Sequence, residues 1–288
     1  QKNIFIIDSE SGAKIWEYEC DSELTSPTSD GKNIFASSKT KLYAFKLDSG
    51  KLLWTSNFDT HHFINSQVIP ILDDSKSTIF YPANDDGLYA ISVSTGNRLW
   101  KYNYNNSQKV KIYGFISYSN NMVYSMFKDE GNEVYKLVAL NTSNGSKKWE
   151  FESKFQFYYA PKIFNGKIFI ATSWKNLYSV DISNGTKIWE YIESSSYPKF
   201  SHSVIYNGIL YIGSSSDLLA FDVNNGNLKW RSSNEDYVEY GPYIDGGVLY
   251  LNINKRSSGS TGVRIHTINL ATGAKLTTKI FSNFTLLS

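Results

Sequence analysis

The residues of this 288-residue chain that could do more than pack are few: four histidines, one cysteine and a handful of adjacent carboxylates. His61 and His62 stand side by side, which invites a metal ion. Neighbours on a strand, however, point to opposite faces, so the pair reads as part of a solvated loop. His202 and His266 are isolated in the sequence. Asp73-Asp74 and Asp85-Asp86 sit in polar stretches and lack the spaced oxygen ligands of a calcium loop, so they read as solvated turns. Cys20 has no second cysteine with which to form a disulfide. The chain contains no Gly-x-Ser-x-Gly, Gly-x-Gly-x-x-Gly, His-Glu-x-x-His or P-loop motif. These residues predict no catalytic site, no metal site and no cofactor.

The pattern that does stand out is a repeat. Glycine recurs at Gly12, Gly50, Gly96, Gly145, Gly185, Gly226 and Gly273, at intervals from 38 residues (12 to 50) to 49 (96 to 145). Four positions after each glycine stands Trp16, Trp54, Trp100, Trp149, Trp189 or Trp230, with Thr277 in the seventh copy. Six positions before it the residue is usually small: Ala44, Ala90, Ala139, Ser179 and Ala220, with Ile6 and Thr267 as exceptions. The flanks alternate with the period of a strand, and the residues around each glycine suit a tight hairpin turn.

Upstream of each hairpin lies a second strand pair, such as Ala160-Pro161 followed by Asn165-Gly166-Lys167-Ile168-Phe169-Ile170. No segment sustains a helical period. Four short antiparallel strands repeated at this spacing are the signature of an all-β protein, a β-propeller. The expectation is one domain over residues 1–288. Its first unit, Gln1 to Glu19, supplies only an outer hairpin, and six complete units follow. Because an open ring exposes strand edges, the tail Asn283 to Ser288 is expected to complete the first blade, giving seven blades. The rival reading is a truncated eight-bladed ring whose missing strands lay upstream.

The unit Leu-Tyr-Ala…Gly…Trp, as in Leu42-Tyr43-Ala44…Gly50…Trp54, Leu88-Tyr89-Ala90…Gly96…Trp100 and Leu177-Tyr178-Ser179…Gly185…Trp189, resembles the pyrroloquinoline-quinone-like (PQQ-like) repeat. The resemblance covers essentially the whole chain. It implies that the six register tryptophans dock against neighbouring blades and that the small residue makes room. It also implies three kinds of relative. Quinone-dependent dehydrogenases use the cofactor with calcium, and many place two adjacent cysteines beside it; here Cys20 stands alone, no Cys-x-x-Cys-His attaches a haem, and no residue matches the calcium site. Non-catalytic scaffolds resemble the periplasmic lipoprotein that helps assemble outer-membrane proteins. Sensor domains of receptor kinases carry similar repeats outside the membrane. The resemblance therefore implies a non-catalytic, extracytoplasmic interaction scaffold, with a ligand-sensing receptor domain and then a quinone dehydrogenase as alternatives.

Function must then lie where the chain does not repeat. The face opposite the glycine turns carries the connections between blades and the middle loops, which are rich in aromatics. Trp174, Phe157, Tyr158, Tyr197, Phe200, Tyr237 and Arg256 are the candidate border of a protein-partner site, since aromatics with arginine are what binding surfaces use. The competing reading is that they plug the central channel or cover blade ends. Asn105, Asn141, Asn144, Asn184 and Asn283 head Asn-x-Ser/Thr sequons, permitting glycans on a secreted protein. Twenty-nine Lys and Arg against 27 Asp and Glu give a net charge of +2, which disfavours nucleic acid. No apolar run reaches the roughly 18 residues of a membrane span. The opening residue is Gln1 rather than Met, read as a removed leader or a fragment boundary.

Overall fold

In the computed structural model the described residues are 2–58, 69–83, 87–104, 110–195, 199–233, 238, 241–254 and 262–282. They form 26 β-strands and no α-helix. The chain falls into two compact units, Gln1–Lys154 and Phe155–Ser288.

The first unit opens with a two-stranded sheet, β1 (Asn3–Ile7) and β2 (Lys14–Glu19). Three four-stranded sheets follow: β3 (Thr28–Ser29) to β6 (Leu52–Asn57), β7 (Ile71–Leu72) to β10 (Arg98–Tyr102), and β11 (Val110–Ser119) to β14 (Lys147–Ser153). The second unit holds three more: β15 (Lys162–Phe164) to β18 (Lys187–Ile192), β19 (Phe200–Tyr206) to β22 (Leu228–Ser233), and β23 (Pro242–Asp245) to β26 (Lys275–Ser282). Every sheet is an antiparallel meander in chain order. In the second unit the first strands are neighbours, β15 beside β19 and β19 beside β23. These are the blades of a β-propeller with first strands innermost. The strand expected to complete the first blade, 283–288, lies outside the described residues.

One turn closes all seven outer hairpins. The glycine N–H donates to the carbonyl four residues back, as from Gly12 to Asp8, Gly145 to Asn141 and Gly226 to Asp222. Where that residue is Asp or Asn, its side chain also accepts the N–H two residues on: Ser143 to Asn141, Ser183 to Asp181, Asn224 to Asp222 and Ala271 to Asn269. Such an Asx arrangement supplies locally the bonds a turn would otherwise lose.

The glycines do more than turn the chain. A Cβ built on Gly50, Gly96, Gly145 or Gly226 lies 2.6–2.7 Å from the indole of the preceding blade, that of Trp16, Trp54, Trp100 or Trp189. Gly273 meets Trp230 in the same way. Each indole N–H donates to the carbonyl three residues before the glycine it covers: Leu47, Val93, Thr142, Val223 and Leu270, at 2.7–3.2 Å. The small residue sits on the tryptophan's own hairpin. Ala44, Ala90, Ala139, Ser179 and Ala220 pair directly across their own hairpins with Trp54, Trp100, Trp149, Trp189 and Trp230. The small residue clears the sheet the indole leaves; the next blade's glycine clears the surface it reaches. Trp149 is itself buried and packs 5.8 Å from Tyr124. A buried indole removes about 150–250 Å² from water, roughly 4–6 kcal/mol per joint as an upper bound.

Candidate partner-binding face

A surface unlike the glycine–tryptophan joints lies in the second unit, where three segments meet. The first is 155–160, leading into β15. The second is the β16–β17 turn, 172–175, joining β16 (Lys167–Ala171) to β17 (Asn176–Asp181). The third is 199–202, at the start of β19.

Thr172 builds the turn. It is fully buried, its hydroxyl donates to the Asn176 carbonyl, and it accepts the Asn176 N–H at 3.1 Å. The Trp174 N–H also reaches this hydroxyl, at 3.4 Å. The turn is thus internally satisfied and presents Trp174 outward, 42% exposed. Segment 155–160 is bonded onto it: Phe157 bridges Thr172, Tyr158 N–H donates to the Ala171 carbonyl, and Ser173 N–H donates to the Gln156 carbonyl. Tyr158 and Tyr159 meet edge to face at 5.1 Å, and the Tyr159 ring lies 3.9 Å from that of His202. The Lys199 ammonium stands 5.7 Å from the Tyr158 ring centre, a cation–π distance. Crowding of the His202 ring by protein, and then the Lys162 charge, lower its pKa, which favours the neutral imidazole.

The sequence-predicted residues divide. Trp174 and the half-buried Tyr158 belong to this surface. Phe157 and Phe200 do not: each is 1% exposed, so neither offers side-chain area to a partner. Phe157 anchors its segment against Thr172, and Phe200 joins the core formed by Phe169, Trp189, Leu210 and Phe221. The bridge to Thr172 and the core of the β19–β22 blade, which draw the two rings inward, are the physical reason for this correction. Tyr197, Tyr237 and Arg256 lie outside the described residues, as do His61, His62, Asp85, Asp86, Asn105 and Asn283. Tyr159, Lys199 and His202 were not singled out from the sequence. Tyr159 and His202 are 43 residues apart, and their contact depends on how two adjacent blades pack, which no local pattern carries.

The titratable clusters elsewhere are structural. Glu193 is fully buried and is held by Arg231 at 2.8 Å and by the N–H groups of Ser194 and Ser195. Arg231 also pairs with Asp217, tying blade β15–β18 to blade β19–β22. In the first unit, Glu150 accepts from Lys136, Lys147 and the Tyr104 hydroxyl at 2.8–2.9 Å. Burial would raise the Glu150 pKa, but these donors outweigh it and bring it to about 2. Among the described residues, no three His, Cys, Asp or Glu side chains converge as metal ligands. Cys20 is buried, and loss of water raises its thiol to about 11.

A PQQ-like family model described as outer membrane protein assembly factor BamB matches residues 1–112 and 114–287. The chain belongs to that family. No curated protein sequence matches it. Among solved structures, BamB from Moraxella catarrhalis superposes with a TM-score of 0.66 at 14% identity, covering 94% of this chain and 81% of that one. Quinohemoprotein alcohol dehydrogenase from Comamonas testosteroni superposes with a TM-score of 0.68 at 12% identity, covering 96% of this chain but 64% of its own. The corresponding dehydrogenase ADHIIG from Pseudomonas putida HK5 gives 0.59 at 12% identity, with 87% and 52% covered. The BamB family thus shares its propeller with enzymes, and at these identities the likeness is one of fold.

Proposed function

We propose that this chain is a non-catalytic protein-interaction propeller working outside the cytoplasm, its residues 1–288 forming one domain. The observation that carries this reading is the surface of Trp174, Tyr158, Tyr159 and His202. Its turn is satisfied internally, and Trp174 is displayed rather than used for packing. Membership of the BamB family supports a protein partner and an extracytoplasmic setting. Sequons at exposed outer turns, Asn144 and Asn184, suit glycans.

The test is crosslinking mass spectrometry on protein isolated from its native source. Wild type is expected to yield a partner crosslinked near residues 155–175. The double variant Trp174→Ala/Tyr158→Ala should lose that partner while keeping its melting temperature. Equal capture by both proteins rejects the reading. Intact mass of the same sample reports any sugar at Asn144 or Asn184. The dehydrogenase superpositions favour a second reading, quinone-dependent oxidation. Calcium-dependent dye reduction by the native-source protein would establish it, and the unmatched cofactor residues argue against it.

A further inference from the structure

The dipeptide Asn-Gly occurs at Asn144, Asn165, Asn184, Asn207 and Asn225. In it a backbone nitrogen with no Cβ beside it follows a side-chain amide that it can attack. The five are alike in sequence, and the structure sorts them into two kinds. Asn144, Asn184 and Asn225 stand in outer hairpin turns. There the glycine N–H donates to the carbonyl of Asn141, Asp181 or Asp222 at 2.8–2.9 Å. The asparagine Oδ1 in turn accepts the N–H of Ser146, Thr186 or Asn227 at 2.9 Å. Both reacting groups are therefore held, and the Trp100 and Trp189 indoles cover Gly145 and Gly226.

Asn207-Gly208 is different. It forms the turn between β19 and β20 (Ile209–Ser214), where Tyr206 and Ile209 pair directly and leave a two-residue loop with φ at +48° and +74°. This is a type I′ turn, in which the flanking residues exchange the hydrogen bonds and the central N–H groups are left over. Among the described residues, neither the Gly208 N–H nor the Asn207 side chain has a hydrogen-bond partner. Asn207 is exposed, and a Cβ on Gly208 would meet no atom within 4 Å. Asn165-Gly166, between Phe164 and Lys167, repeats this geometry with φ at +47° and +74°. The Asn207 turn belongs to the middle blade of its unit, with β15 and β23 on either side of β19.

We infer that Asn207 is a site of covalent self-modification in the folded protein, losing its amide through a cyclic imide with water as the co-reactant. The Gly208 nitrogen attacks Asn207 Cγ, and a new N–Cγ bond forms. The Cγ–Nδ2 bond breaks, and ammonia leaves with the proton that the Gly208 nitrogen gives up. Water then adds to either carbonyl of the five-membered ring and opens it to aspartate or isoaspartate. No electron changes hands. The isoaspartate form places an extra methylene in a loop only two residues long, between the directly paired Tyr206 and Ile209. The outer turns resist the same chemistry because two hydrogen bonds must break before their nitrogen and amide can meet.

The full chain, folded, is incubated in mildly alkaline buffer made with heavy-oxygen water and then digested with trypsin in ordinary water. Ring opening during the incubation leaves a heavy oxygen on the new carboxyl, whereas conversion during digestion does not. One tryptic peptide, residues 200–229, carries both Asn207 and Asn225, so tandem mass spectrometry compares them within the same fragment. Heavy label at Asn207 should exceed that at Asn225 by about tenfold or more, the scale of the two hydrogen bonds that hold Asn225-Gly226. The chain unfolded in urea should label the two positions nearly equally. No label at Asn207, or equal label at both in the folded chain, overturns the inference. An excess at Asn207 that persists undiminished in urea also overturns it, because local sequence rather than the turn would then set the rate.

Discussion

The glycine hairpins and the 155–202 surface use the same residue types to opposite ends. Trp54 and Trp174 are both tryptophans beside tight turns. Trp54 lies on Gly96 and donates its indole N–H to the Val93 carbonyl. Trp174 sits over a turn whose bonds close on Thr172 and projects outward. What separates them is whether the facing blade offers a surface without a Cβ and an accepting carbonyl. An aromatic in this fold is a joint where glycine receives it and a display where nothing does.

The contrast is easiest to break at the joints. Trp100→Ala should destabilise by roughly 3–5 kcal/mol, the range for truncating a packed aromatic, read as a lowered melting temperature or denaturant midpoint; an unchanged midpoint would show that the indole stabilises nothing. Gly96→Ala should cost less, about 2 kcal/mol, combining the strain of positive φ with a methyl 2.6 Å from the Trp54 indole. Equality with Gly166→Ala, whose added Cβ has open space at a similar φ, would mean that only turn strain matters.

A pH titration probes a third element, the Glu150 cluster. The folded carboxyl titrates at about 2, against an ordinary 4.5, so its pairing stabilises the fold above pH 4.5 and is lost as the pH falls toward 2. Glu150→Gln should flatten that segment of the stability profile, and an unaltered acid limb would contradict the assignment. The smallest effect belongs to the display surface: Trp174→Ala should change stability by less than about 0.5 kcal/mol. A loss as large as that of Trp100→Ala would place Trp174 among the joints.

The repeat made much of the fold legible. Glycine marks every outer hairpin, and the tryptophan four residues on and the small residue six before mark most of them, because a strand's period of two and a turn that needs positive φ leave few alternatives. The partner surface was only half legible. Trp174 was identifiable as the tryptophan outside the register, and Tyr158 by its place in an aromatic connection. Phe157 and Phe200 looked equivalent to it in composition, yet packing against Thr172 and against the core around Phe169 and Phe221 turned both inward. Tyr159, Lys199 and His202 carried no signal, because their neighbours lie on other strands.

The sequence alone determined the blade: where strands start, where they turn and which residue forms the joint, all of them properties of short stretches read locally. Tertiary structure decided what each indole meets. It assigned the glycine of the following blade as the receiving surface and separated displayed aromatics from buried ones. Those outcomes depend on contacts between segments some 30 to 45 residues apart, and a local pattern records only one side of such a contact.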